Sequence, residues 1–361
     1  MIVGSISENL NIEKRVAITP DIIKKYTSLG LQVNLSNDYA SHIGITDKEY
    51  EKEGAMISES KEVIANSNAI LQMNILSNEN FDKLKKEQNL IGVLNPYLNK
   101  TKLSEITSKN INCFSLDLLP RITRAQSMDI LSSQANLAGY KAVVDSFAYF
   151  QKAIPMMMTA AGTISAAKVL VVGAGVAGLQ AIATAKRMGA IVFATDVRLA
   201  SKEQVESLGG KFLTVEGAEN LETESGYAKE ASEDFKNKQE DLLKETLRKI
   251  DIVVCTALIP GKKAPIIIKK DMIDVMPTGS IIYDLAASQG GNSELTKVDE
   301  IVYSSGVQIM GEKNILNKLP VSASNLYAKN MFNFVNNLYD KEKKTFEINL
   351  DDEIIEKTKI K

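Results

Sequence analysis

The stretch that most constrains this chain runs from Lys168 to Arg198 and reads KVLVVGAGVAGLQAIATAKRMGAIVFATDVR. Its apolar run 169–172 predicts a strand buried on both faces, as in a parallel sheet. Gly173, Gly175 and Gly178 follow at once in G-x-G-x-x-G spacing, and a helical pattern through Leu179, Ile182 and Ala185 stops at Gly189. A second apolar run, 191–194, leads to Asp196. Strand, glycine turn, helix, second strand and an acid about 20 residues beyond the glycines make up the βαβ unit that binds a dinucleotide.

Each part has a physical task. Gly173 permits the tight turn, Gly175 lets backbone N–H groups approach the pyrophosphate, and Gly178 lets the helix lie close on the strand. The helix N-terminus adds free donors and a partial positive charge. Asp196 can accept from the adenine ribose hydroxyls, whereas a 2′-phosphate would sit against its carboxylate. Two like charges about 4 Å apart repel by roughly 4 kcal/mol at an effective dielectric near ~20, which is about a thousandfold preference for NAD over NADP. Arg198 tempers that preference, because an arginine can accept a phosphate. A βα turn whose glycines serve packing alone would show the same spacing.

The 361 residues are enough for two or three domains with real cores. A net charge of -2 gives no electrostatic case for nucleic acid. Cys113 and Cys255 are too few and too isolated for a disulfide framework or a metal site, and both lie in apolar runs that predict buried thiols. The opening MIVGSISENLNIEKR has no signal-peptide pattern, and no apolar stretch nears the ~18 residues needed to span a bilayer. The expected location is the cytoplasm, with any membrane association made through partners.

The fold class expected is α/β: two doubly wound, parallel-sheet, Rossmann-like domains with a cleft between them. Candidate strands at 2–6, 32–35, 69–73, 90–94 and 112–116 and helices at 20–29, 59–66 and 102–108 describe a first βαβ series without a glycine fingerprint. Pro120 opens a helical stretch that reaches about 150. Further strands at 252–255, 280–284 and 307–310 complete the second series. An amphipathic tail helix at 322–338, with Leu326, Met331, Phe332, Phe334, Val335 and Leu338 as its apolar set, returns to the first domain. The expected domains are therefore 1–135 plus 318–361, and 136–317. Residues 218–249 are polar and charge-dense. They read either as a solvated helix with i,i+4 pairs or as a mobile lid with Gly226 as hinge and Tyr227 at its tip. Met156, Met157 and Met158, just before the fingerprint strand, read equally as core filler or as site lining.

A dehydrogenase acting on a hydroxy or amino acid needs a general acid or base beside the nicotinamide. The single histidine, His42, is far from the fingerprint and reads as structural or solvent-facing. Hydride exchange between two nicotinamides needs no such group, since NADH and NADP⁺ give NAD⁺ and NADPH with no net proton in the chemical step.

The segments PRITRAQSMDILSSQANLAGYKA (120–142), VGAGVAGLQAIATAKRMGAIVFATDVR, GYAKE, CTALIPGKKAP and DLAASQGGN, in that order along the whole chain, resemble domain I of proton-translocating NAD(P)⁺ transhydrogenase. That domain is similar in fold to alanine dehydrogenase, which shares the opening EKRVAITP at 13–20. Arg15 survives from alanine dehydrogenase, but its other active groups do not. Its third-strand lysine is absent from AILQMN, its histidine after the fourth strand is absent from VLNPYL around Asn95, and its aspartate before Gln-Gly-Gly is Ser288 here.

The resemblance implies that Arg121, Gln126, Asp129 and Ser132 hold the nicotinamide end. Gln126, Asp129 and Ser132 step by three and would line one helical stripe, and a carboxamide is matched by Gln126 or Ser132, which both donate and accept. Thr123 with Gln126 also fits a capping box. It further implies nucleotide contacts by Val176 in the fingerprint turn, by Asp196, Val197 and Arg198 at the adenosine, and by Gly226, Gln239 and Leu258, with Tyr227 on a mobile loop. The cofactor implied is NAD(H), with NADP(H) on a partner subunit. The partners implied are membrane-spanning and NADP(H)-binding transhydrogenase subunits and a second copy of the chain, holding it peripheral to the inner membrane. The rival readings are an alanine dehydrogenase-like amino acid dehydrogenase and a non-catalytic NAD(H)-binding regulator.

Overall fold

A computed structural model describes residues 1–215, 233–259 and 261–361, with 233–236 as backbone only. The chain divides into two compact units, Met1–Gln134 with Leu316–Lys361, and Ala135–Ile315.

The main sheet of the first unit has six strands, β1 (Ile2–Ser5), β2 (Gln32–Ser36), β3 (Met56–Ser58), β4 (Ala69–Leu71), β5 (Asn89–Gly92) and β6 (Asn112–Ser115), in the order β3-β2-β1-β4-β5-β6. Every pairing is parallel. This is the doubly wound order, with its switch point between β1 and β4. The helix Pro320–Leu338 buries Tyr327, Met331, Phe334 and Val335 in this unit's core. The Tyr327 hydroxyl donates to the Gln72 carbonyl at 2.7 Å. Of the expected apolar set, Leu326 and Phe332 are only half-buried. His42 is exposed, with Nε2 2.7 Å from the Lys14 carbonyl, which is a structural contact.

A cavity of 480 Å³ opens beyond the carboxyl ends of β1 and β4, lined by Glu8, Gln72, Asn74 and Lys102 among others. Glu8 accepts from the Met73 N–H at 2.7 Å and the Asn74 N–H at 3.3 Å. Burial outweighs these bonds and pushes its carboxyl up to about 7. The folded state therefore holds a proton that the unfolded chain releases near the ordinary glutamate pKa of 4.5. Stability is greatest below that value and falls as pH rises through about 7, by at most about 3 kcal/mol. Glu8→Gln is expected to flatten the fall in melting temperature between about pH 5 and 8. Equal pH slopes in the two proteins would show that Glu8 is solvated.

The second unit adds β7 (Met157–Thr159), β8 (Gly162–Ile164), β9 (Lys168–Val172), β10 (Ile191–Thr195), β11 (Lys211–Phe212), β12 (Ile252–Cys255), β13 (Ile281–Asp284), β14 (Ile301–Ser304) and β15 (Val307–Gly311). Seven of these form the sheet β11-β10-β9-β12-β13-β15-β14, parallel except for β14 against β15. Its switch point lies between β9 and β12. The central strands β9 and β12 are buried almost throughout, and Cys255, like Cys113, is a fully buried free thiol. β7 and β8 pair as a separate antiparallel hairpin, and Met156 and Met158 there are exposed by 61% and 78%. They are thus not core filler within this chain. No described helix is long and apolar enough to cross a membrane.

Candidate cofactor site

The fingerprint turn lies where β9 gives way to the helix Val176–Arg187. Gly173 has φ +94, and a Cβ there would stand 2.8 Å from Thr256 Oγ1. A Cβ on Gly178 would lie 1.9 Å from the Gly173 carbonyl oxygen, so no side chain fits between helix and turn. Gly139 meets the same helix, since its Cβ would fall 2.0 Å from the Ala177 carbonyl oxygen. Gly175 is different. It is the helix N-cap, and a Cβ there meets nothing within 4 Å. The next residue, Val176, is 42% exposed. Open space beside the N–H groups of a helix N-terminus is what a pyrophosphate requires.

Asp196 follows β10. Its Oδ1 accepts from the Arg198 N–H at 2.8 Å and Nε at 2.9 Å, and its Oδ2 accepts from the Ala174 N–H at 2.7 Å and Arg198 Nη2 at 2.9 Å. Burial works to raise this carboxyl, but the hydrogen bonds from Arg198 and Ala174 overcome it and hold the group below the usual carboxylate range. Asp196 therefore also ties the glycine turn to the second strand, and Arg198 is its ion-pair partner. Val197 is half-buried between them. Gln239 reaches the same edge, its Nε2 3.3 Å from Thr195 Oγ1. The helix carrying Gln239, Glu233–Leu247, buries Leu243 and Leu247. Its ion pairs include contacts of Glu240 and Lys244 with Lys269 and Asp271, outside the helix. Gly226 and Tyr227 lie outside the described residues.

Two groups that the motif reading did not single out support this edge. Thr256 Oγ1, after β12, donates toward the Gly173 carbonyl at 2.9 Å, across the switch point. Asp284, fully buried at the end of β13, accepts from the N–H groups of Ala286, Asn292 and Ser293 and from Thr296 Oγ1. The signal available for Asp284 is an acid closing an apolar strand, in the same motif as Gly290, Gly291 and Asn292. Leu258, two residues beyond Thr256, is 42% exposed.

The four nicotinamide candidates lie in or beside the segment 121–132. The helix expected from Pro120 onward is broken: a 3₁₀ turn, Thr123–Met128, precedes the helix Ile130–Tyr149. Between them Asp129 adopts extended ψ, and its carboxylate caps the following helix. It accepts from the Ser132 N–H at 2.9 Å and Ser132 Oγ at 2.6 Å. Gln126, Asp129 and Ser132 therefore do not form one continuous helical stripe, because an aspartate whose carboxylate bonds N–H groups three residues on favours a helix start over a helix interior. The Thr123–Gln126 capping box is also absent, since Ile122 stands at the cap position without a side-chain bond. Ala125 and Met128 are buried and Ser127's carbonyl accepts from Asn330 and Asn333, which leaves Gln126 and Arg121 on the exposed side.

These features define a Rossmann-like, dinucleotide-binding α/β protein. The chain belongs to the alanine dehydrogenase/PNT family: its residues 4–138 match the N-terminal domain of that family and 142–360 the C-terminal domain. It is 46% identical over 354 residues to the first part of NAD(P) transhydrogenase subunit alpha of Rhodospirillum rubrum, covering 96% of this chain and 92% of that protein. The corresponding protein of Rickettsia prowazekii is 45% identical over 360 residues, with 98% and 93% covered. An alanine dehydrogenase of Methanococcus maripaludis is 26% identical over 302 residues, 81% and 74% of the two chains. The crystal structure of transhydrogenase from Sinorhizobium meliloti superposes with a TM-score of 0.90 at 41% identity, covering 99% of this chain and 98% of that one. The chain is thus an NAD-binding oxidoreductase component of the transhydrogenase type.

Proposed function

We propose that this chain is the NAD(H)-binding subunit of a proton-translocating, Re/Si-specific NAD(P) transhydrogenase. The observation that supports it above others is end-to-end likeness to the first part of transhydrogenase subunit alpha, 46% against 26% for an alanine dehydrogenase. The strand AILQMN lacks the dehydrogenase's lysine, the sequence around Asn95 lacks its histidine, and Ser288 stands where it would need its aspartate. In this reading NADP(H) is held by a partner subunit, and other subunits span the membrane and carry protons. The chain pairs as a homodimer on the cytoplasmic side of the inner membrane.

The residues present suit NAD(H). Gly175 leaves room at the N-terminus of a helix for the pyrophosphate, and Asp196 disfavours a 2′-phosphate. When bound, NADH supplies the hydride. Val176 and Leu258 offer apolar contact, and Gln239 a donor, to the nucleotide. Arg121, Gln126, Asp129 and Ser132 fix the orientation of the nicotinamide. Orientation at about 3–3.5 Å between reacting atoms is the main contribution asked of the protein.

The test mixes the purified chain with a recombinant NADP(H)-binding domain of a transhydrogenase and follows NADPH-dependent reduction of an NAD⁺ analogue. Turnover that needs both proteins is the expected result. NADH binding without turnover would favour a regulator, and turnover of alanine a dehydrogenase.

A further inference from the structure

The motifs CTALIPGKKAP and DLAASQGGN are far apart in sequence but are joined by one buried side chain, Asn292. Its Oδ1 accepts from the Ala257 N–H at 3.0 Å, and its Nδ2 donates to the carbonyls of Ala257 at 2.8 Å and Pro265 at 2.9 Å. The backbone is engaged as well. The Asn292 N–H donates to Asp284 Oδ2 at 2.7 Å, and its carbonyl accepts from Ile267 at 2.8 Å and Ile268 at 2.9 Å. Gly291, with φ +79, makes the turn that brings Asn292 there, and a Cβ on it would stand 2.9 Å from Asp284 Oδ2. Asn292 is fully buried, and both its amide hydrogens and its amide oxygen are used. It has no hydrogen left to offer a ligand.

What Asn292 holds is the strand-to-loop exit of β12. Ala257 lies between Thr256, whose hydroxyl meets the Gly173 carbonyl, and Leu258, which is exposed at the same edge. An unbroken path of hydrogen bonds and covalent chain therefore runs from Asp284 through Asn292 to Ala257. From there it reaches the glycine turn on one side and Leu258 on the other.

We infer that Asn292 is a positioning residue for dinucleotide binding: anchored by Asp284, it sets the height and direction of residues 256–258, so that Leu258 is presented to the nucleotide. The inference rests on the reading above in which Leu258 contacts NAD(H). A buried amide that bonds both the N–H and the carbonyl of one loop residue fixes that peptide's position and its rotation. Leu258 is then set in place without any ligand contact by Asn292 itself.

The test is a double-mutant cycle on NADH affinity, measured by NADH fluorescence with Leu258→Ala, Asn292→Ser and the double variant. Asn292→Ser replaces the carboxamide by one small hydroxyl and adds no charge. If Asn292 acts through Leu258, each single variant raises Kd about tenfold and the double variant stays within about twofold of Leu258→Ala. Multiplication to about a hundredfold would show that Asn292 acts elsewhere, and an unchanged Kd in Asn292→Ser beside a weakened Leu258→Ala would also overturn the inference. An unchanged Kd in Leu258→Ala is a separate failure, of the contact reading itself. Should Asn292→Ser lose its cooperative melting, Asp284→Asn gives a second route. It leaves every atom of Asn292 in place, weakens the hold on its N–H, and must show the same non-additivity with Leu258→Ala.

Discussion

Gly178→Ala is expected to abolish useful NADH binding and to lower the melting temperature. The methyl group would sit 1.9 Å from the Gly173 carbonyl oxygen and 3.1 Å from Thr256 Oγ1. Backbone and a β-branched side chain are both poor at moving aside, so the helix must lift from the strand. Overpacking of this kind costs about 1–3 kcal/mol, or more where backbone is struck. The lift also withdraws the helix N-terminus from the pyrophosphate. Two charge-assisted bonds at about 1.5–3 kcal/mol each correspond to a loss of about a hundredfold or more in affinity.

Gly175→Ala separates the two effects. Its φ is -78 and its Cβ would meet nothing within 4 Å. The fold should melt as the parent does, yet the methyl group would occupy the space that the phosphates need. NADH titration and thermal melting of both variants decide the matter. Parental NADH affinity in Gly178→Ala would mean that the glycine turn is a packing device alone.

These glycines are legible in the sequence because their roles are backbone roles, and a spacing of G-x-G-x-x-G between two apolar runs admits few other readings. The parallel strands of both units are legible for a related reason: strands buried on both faces read as continuous apolar runs. The short edge strands β3, β11 and β14 are not. Three residues such as Met56–Ser58, none of them fully buried, carry neither an apolar run nor an alternation long enough to notice. Tyr327 is absent from the apolar set expected of the tail helix because its hydroxyl finds a carbonyl only in the folded protein. The break at Asp129 is hidden by its position in a three-residue step that a continuous helix would also satisfy. Asp284 and Asn292 read as motif letters without tasks, because their partners lie in loops whose proximity is a product of the sheet order.

Gln126→Leu is expected to slow hydride transfer by about a hundredfold while NADH affinity changes little, since small misplacements of a reacting ring cost about that much. The structure makes Gln126 the cleanest of the four candidates to test. Asp129 and Ser132 bond to each other at the start of the helix Ile130–Tyr149. Removing either carboxylate or hydroxyl disturbs a helix cap, worth about 1 kcal/mol, together with any role toward the nicotinamide. Gln126 has an exposed side chain on a 3₁₀ turn that is anchored by Ala125 and Met128 and by the asparagines bound to Ser127. Leucine keeps its bulk and removes both the donor and the acceptor that a carboxamide would use. The measurement is single-turnover hydride transfer with the NADP(H)-binding partner, beside an NADH titration and a melting curve. Parental transfer would remove Gln126 from the mechanism. Slow transfer with parental affinity and melting would assign it to the orientation of the ring, because neither binding nor folding would then account for the loss.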